Sequence, residues 1–107
     1  MYEVERHMLK ISMSEGQSQR RLIVEGRLVP PFAAELKAAW DKAAADLDGR
    51  ELVIELKNLT TISPQGEDVL LELMKCGAKF RCCGVFTKHV LREVARRMGR
   101  NGQEEHR

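Results

Sequence analysis

Apolar and polar positions alternate with different periods along the chain, and each change of period marks an element. Leu9, Ile11 and Met13 alternate with polar neighbours, the period of a strand with one buried face. Residues 15–18, Glu-Gly-Gln-Ser, form a hairpin-like turn, so residues 21–26 make a second strand antiparallel to the first. Pro30 and Pro31 end that strand and introduce a helix. Its apolar positions, Phe32, Leu36, Ala39, Trp40, Ala43 and Leu47, fall on one side of a helical period. Asp48 and Gly49 stop it. Residues 51–56 carry the aliphatic run Leu52, Val53, Ile54 and Leu56 of a buried strand. A second helix spans residues 64–76 with Val69, Leu70 and Leu73 facing inward, and Gly77 ends it. Residues 79–84 read as a short last strand. Thr87 is then expected to cap a final helix whose inner face is Val90, Leu91, Val94 and Met98. The polar residues 99–107 are expected to be a disordered tail, leaving one domain over residues 1–98.

The order is therefore β-β-α-β-α-β-α. It implies an α/β fold, a single mixed sheet of about four strands with an N-terminal hairpin and helices packed on it. Right-handed crossovers make the last three strands parallel. The connections that follow strand C-termini, residues 28–31, 57–63 and 85–88, then gather on one rim, where α/β proteins usually bind.

Composition narrows the class. The chain has 107 residues, enough for one modest core, and only 5% are aromatic, so that core must be aliphatic. With 43% hydrophobic and 32% charged residues it has globular character. No apolar stretch reaches a membrane span and no secretory leader is visible, so a cytoplasmic protein without membrane insertion is expected. Cys76, Cys82 and Cys83 are an odd number and read as reduced structural thiols. The net charge of +2 hides an asymmetry: residues 79–107 hold eight Lys/Arg against three Asp/Glu. Arg92, Arg96 and Arg100 stand four apart on one helical stripe. With no interleaved aromatic residues and no recognisable motif, the stripe reads as a solvated helix face, and no nucleic-acid partner is expected.

No catalytic constellation emerges, and an enzyme is not expected. His7, His89 and His106 have no ligand spacing, so no metal site is assigned. Cys83 and His89 lack a third orienting group, and Glu67 and Asp68 point about 100° apart on a helix, poor geometry for an acid–base couple. No glycine-rich phosphate loop is present, and no cofactor is expected. The informative stretch is instead the strand–turn–helix of residues 51–74. There Ser63 is placed to cap the second helix, Pro64 suits its first position, and Glu67 and Asp68 bring negative charge to its first turn.

These residues carry a resemblance. The string Val24-Glu25-Gly26-Arg27-Leu28, a helix beginning near Phe32 and reaching Trp40, and the strand–turn–helix of residues 51–74 together resemble a STAS domain over residues 8–98. That family includes bacterial anti-sigma factor antagonists and the cytoplasmic domains of sulphate transporters. The resemblance implies a mixed sheet with helices packed on it and a binding rim at the second helix's N-terminus. Regulatory members usually read Asp-Ser-Ser-Gly or Asp-Ser-Thr-Gly at this turn, where a partner kinase phosphorylates a hydroxyl. Here the turn reads Ser63-Pro64-Gln65-Gly66. Gly66 matches, but Pro64 and Gln65 occupy the hydroxyl positions and can accept no phosphoryl group. Phosphorylation is not expected, and Ser63 is the alternative acceptor. The expected function is a non-catalytic regulatory protein-binding module like an anti-sigma factor antagonist, active in signal transduction and transcription regulation. Its partner would be an anti-sigma factor or another kinase-like regulatory protein. The contact residues would be Leu28, Val29, Pro30, Thr61, Ser63, Pro64, Gln65, Glu67, Asp68, Phe86 and Thr87. An accessory subunit of a membrane transporter ATPase and a sensor of a small anion or nucleotide are the alternatives. A homodimer is left open.

Overall fold

A computed structural model describes residues 9–82 and 84–105, with side chains through Gly99. Seven elements follow one another: β1 (Leu9–Glu15), β2 (Gln19–Leu28), α1 (Ala33–Ala44), β3 (Glu51–Ile62), α2 (Pro64–Lys75), β4 (Lys79–Cys82) and α3 (Val85–Glu105). The four strands form one sheet in the order β1-β2-β3-β4. β1 is antiparallel to β2, and β2, β3 and β4 run parallel. This is the α/β fold and the element order read from the sequence.

Strand periodicity sorts side chains onto two unlike faces. Register sets Leu22 beside Ile54 and Ile54 beside Phe80, and it sets Val24 beside Leu56 and Leu56 beside Cys82. All three helices pack on this face, contributing Leu36 and Ala43, Leu70 and Leu73, and Val90 and Val94 to one buried aliphatic cluster. The other face is dressed with charge. Arg21 donates to Glu55 at 2.9 Å and Lys79 pairs with Glu51 at 2.8 Å. Val53 lies on that face, yet only 4% of it is exposed. Its register neighbours Arg21 and Lys79 are long cations, whose aliphatic stems can shield an apolar residue while their heads stay wet.

At the N-terminal end of the parallel strands a buried cation ties the layers together. Arg20, 5% exposed, donates to Glu15 at 3.0 Å and, at 2.7 Å each, to the Ala43 carbonyl and Asp46. Arg50 donates to the same Glu15 carboxylate at 2.6 Å and to the Leu47 carbonyl at 2.8 Å. The cations thus sit at the C-terminal end of α1, where the helix dipole favours them. Hydrogen bonds from Arg20 hold the carboxyls of Glu15 and Asp46 below the ordinary carboxylate range.

The structure departs from the sequence reading at element ends. β2 and β3 continue beyond Gly26 and Leu56, because irregularities in their pairing let both strands bend onward together. Gly26, at φ 103°, and Asn58, at φ 55°, supply the positive backbone angles, which glycine and asparagine adopt more readily than other residues. Thr60 and Thr61 are therefore strand residues, and the Thr60 hydroxyl donates to the Gly26 carbonyl at 3.2 Å. α3 begins at Val85, so Thr87 is not its cap: it lies inside the first turn and is 3% exposed. Met98, assigned inward, is 37% exposed. The α3 backbone continues to Glu105, past the polar onset at Gly99, since a glycine costs only about 1 kcal/mol in an established helix.

Trp40 packs against the core from α1 while remaining half-exposed, and its buried indole N–H has no hydrogen-bond partner among the described residues. Partial burial lowers the expected cost of Trp40→Ala to about 2–3 kcal/mol, below the ~3–5 kcal/mol of a fully buried aromatic. Trp40→Phe removes the orphan donor and should cost under about 1 kcal/mol, as urea melts of the two variants will show. Acid should also loosen the Arg20 clamp. The carboxyls of Glu15 and Asp46 are lowered in the folded state, so their contribution is full above the unfolded value of about 4 and is lost as pH falls through the lower folded values. Melting temperature should fall below about pH 4, and an Asp46→Asn variant should show a smaller acid dependence, measured by thermal melts across pH.

Candidate partner-binding rim

The rim is organised by one close approach. Ser63, in extended backbone, is the N-cap of α2: its hydroxyl accepts from the Gly66 N–H at 3.1 Å and donates to the Leu28 carbonyl at 3.4 Å. The Ser63 N–H also donates to the Leu28 carbonyl, at 3.1 Å, and Pro64 occupies the first helical turn. The end of β2 and the start of α2 are thereby joined through a single oxygen. Gly66 makes the join possible. A Cβ there would run into the Leu28 carbonyl oxygen and would lie 3.1 Å from Leu28 Cγ and 3.2 Å from Ile62 Cγ2. None of these groups can yield cheaply, since Leu28 is fully buried and its carbonyl is held by two donors. Gly66→Ala should therefore destabilise by at least about 2 kcal/mol, as overpacking against fixed atoms does, whereas Gln65→Ala one position earlier should shift stability by under about 0.5 kcal/mol. Denaturant melts of the pair test the assignment.

The structure places the sequence-derived contact residues unevenly. Pro30, Pro64, Gln65, Asp68 and Phe86 are exposed, and Val29, Thr61, Ser63 and Glu67 are half-buried. Leu28 and Thr87 have buried side chains; Leu28 turns no side-chain surface outward, and Thr87 shows only at the wall of the cleft described next. Leu28 fills the core beneath α2, and Thr87 is enclosed once α3 starts earlier than its cap signal implied. Glu67 and Asp68 are already engaged, with Arg97 of α3 at 3.6 Å and 3.1 Å, so they brace α2 against α3.

Beside this turn the structure opens a cleft of about 390 Å³ lined by Asn58, Leu59, Thr60, Gly84, Val85, Phe86 and Thr87. It exists because β4 pairs with β3 only as far as Leu56, while β3 runs on to Ile62 with no paired strand on that side among the described residues. Val85 is 86% exposed and Phe86 49% exposed at its mouth. Residues 57–63 and 85–88 were assigned to the rim from the strand order. Gly84 lies just outside those segments, and the strand bend, signalled by Asn58 and Gly26, is what sets Asn58 and Leu59 at the cleft as strand residues and not as a loop. The segments 57–66 and 84–92 contain no Asp or Glu, while Lys57, Lys88 and Arg92 lie on them, so this rim carries positive charge.

His89 is exposed on α3, and Cys76 is exposed where α2 ends. Cys83, His7 and His106 lie outside the described residues. Among the described residues no group of three His, Cys, Asp or Glu side chains converges to hold a metal ion. Of the arginine stripe, Arg96 pairs with Glu93 at 2.9 Å, Arg92 is exposed, and the side chain of Arg100 lies outside the described residues. Among the described residues no helix is long and apolar enough to cross a membrane. No protein-family model matches the sequence, and no curated protein matches it.

Proposed function

We propose that the protein is a non-catalytic regulatory module of the STAS type that binds a partner protein in the cytoplasm, through the rim where α2 begins. The observation that carries this reading is the turn of residues 63–66. It presents Pro64 and Gln65 to solvent at a helix N-terminus while Ser63 and Gly66 are consumed in fixing the helix. The Ser63 hydroxyl both accepts from Gly66 and donates to Leu28, so its proton and one of its two lone pairs are engaged in the fold. Pro64 and Gln65 bring no hydroxyl. Such a rim binds constitutively, governed by abundance instead of added phosphate charge. An anti-sigma factor or a related kinase-like regulator is the partner class that the STAS resemblance supports.

The test is to capture the partner from source cells with the intact chain, identify it by mass spectrometry, and measure its affinity for variants. Gln65→Asp places charge at the turn without burdening the fold, because a negative side chain near a helix N-terminus is tolerated. It should weaken binding about tenfold, or 1.4 kcal/mol, at unchanged melting temperature. Full affinity in Gln65→Asp together with lost affinity in Arg92→Glu or Arg96→Glu would move the interface to α3 and refute this reading.

A further inference from the structure

The far side of the domain carries a feature that partner binding at the rim does not use. Among the described residues β1 is an edge strand, hydrogen-bonded to β2 on one side only, with neither proline nor a pairing irregularity to blunt its other edge. Its helix-facing side is incompletely covered. Leu9 is buried, Ile11 is half-buried, and Met13 is 48% exposed. Between β1 and α1 lies a groove of about 280 Å³ lined by Ile11, Glu35, Ala38, Ala39 and Lys42. Its floor is apolar, its wall is made of small alanines, and one acid and one base stand at its ends. Neither Glu35 nor Lys42 has an ion-pair partner among the described residues.

We propose that this face binds a second copy of the chain across a two-fold axis, pairing the two β1 edges antiparallel and the two α1 helices side by side. The charge pattern selects this occupant. An isologous contact requires the surface to be complementary to itself. Glu35 and Lys42 lie symmetrically about the midpoint of Ala38 and Ala39, so a two-fold axis there sets each Glu35 against Lys42 of the second copy and leaves only alanines at the crossing. Ile11 and Met13 are likewise symmetric about Ser12. An antiparallel pairing centred on Ser12 lays Ile11 of one copy beside Met13 of the other, on the helix-facing side that the groove leaves open. The same axis serves both sets, because pairing two edge strands antiparallel keeps both helix layers on one side of the joined sheet. Eight strands result, and each groove is closed by the other copy. The rim at the start of α2 belongs to the opposite side of α1 and stays free, so the dimer is independent of the partner reading.

The test measures mass by light scattering and sedimentation equilibrium across protein concentration, on the full chain and on charge variants. The wild type should show a monomer–dimer equilibrium. Glu35→Lys and Lys42→Glu, each placing like charges opposite one another, should each weaken it at least about tenfold, and the double exchange Glu35→Lys/Lys42→Glu should restore it to within about threefold of wild type. Both positions are solvent-exposed, and circular dichroism will confirm that the variants fold. Met13→Lys, which desolvates a charge in the joint without touching the ion pair, should weaken the dimer as well. A wild-type chain that stays monomeric up to about 1 mM, where any specific interface worth 4 kcal/mol would register, overturns the proposal. So does a dimer indifferent to the single charge changes, or one that the double exchange fails to restore.

Discussion

The Leu28 carbonyl is where this fold is set. It takes the Ser63 N–H and hydroxyl, and it lies so close to Gly66 that no side chain fits between. A strand end and a helix start are usually joined by a loop with some latitude. Here the second helix is held against the end of a strand that is not its sequence neighbour, so its axis, and everything at its N-terminus, has one position. The parallel sheet above and the α2–α3 brace through Arg97 then follow from where α2 must lie. The opposite end is fastened by different chemistry. Arg20 gathers a strand, a turn and the last carbonyls of α1 by charge-assisted hydrogen bonds, which tolerate adjustment and depend on pH. The end where α2 begins is thus fixed first by steric contact and backbone hydrogen bonds, with the Arg97 pairs added on its outside, whereas the other end depends mainly on ion-paired side chains.

The helices all occupy one side of the sheet, and this has consequences at both edges. Among the described residues, large apolar side chains are exposed at the β1 edge (Met13), where β4 falls short of β3 (Val85 and Phe86), and late on α3 (Met98). The face of the sheet opposite the helices carries the Arg21–Glu55 and Lys79–Glu51 pairs instead. The first two exposures have a geometric cause, the end of the sheet and the short reach of β4.

Much of this was legible in the sequence because period and punctuation agreed. Strict alternation at Leu9, Ile11 and Met13, the aliphatic run at Leu52–Leu56 (residues 52–56), and glycine or proline at element ends fixed the order and the parallel sheet. The Ser63 cap was also readable, since Ser-Pro before an amphipathic run has one physical use. What escaped was non-local. Arg20 falls just before the strand read at residues 21–26, and only the return of α1 brings Ala43 and Asp46 to it, 23 and 26 residues away. Strand β3 was cut short at Leu56 because Lys57, Asn58 and the threonines look like a turn. Pairing with the end of β2 overrides that local preference, as tertiary context does for β-propensity. Thr87 misled for a related reason: a capping residue type near a helix start is a signal only where the preceding residues stay extended, and Val85 and Phe86 are already helical.

The cleft and the turn together bear on why Pro64 and Gln65 stand where they do. A helix N-terminus tipped by free hydroxyls invites phosphate, and the added charge would be stabilised by the dipole. At this turn the one hydroxyl, on Ser63, caps Gly66 and reaches Leu28, so modification there would cost the cap while the Ser63 N–H kept its own bond to the Leu28 carbonyl. Proline at the following position stiffens the turn further, since its ring fixes the backbone angle already required by the helix. The turn is therefore ordered before anything touches it, and a surface ordered in advance has less conformational entropy to lose in a contact.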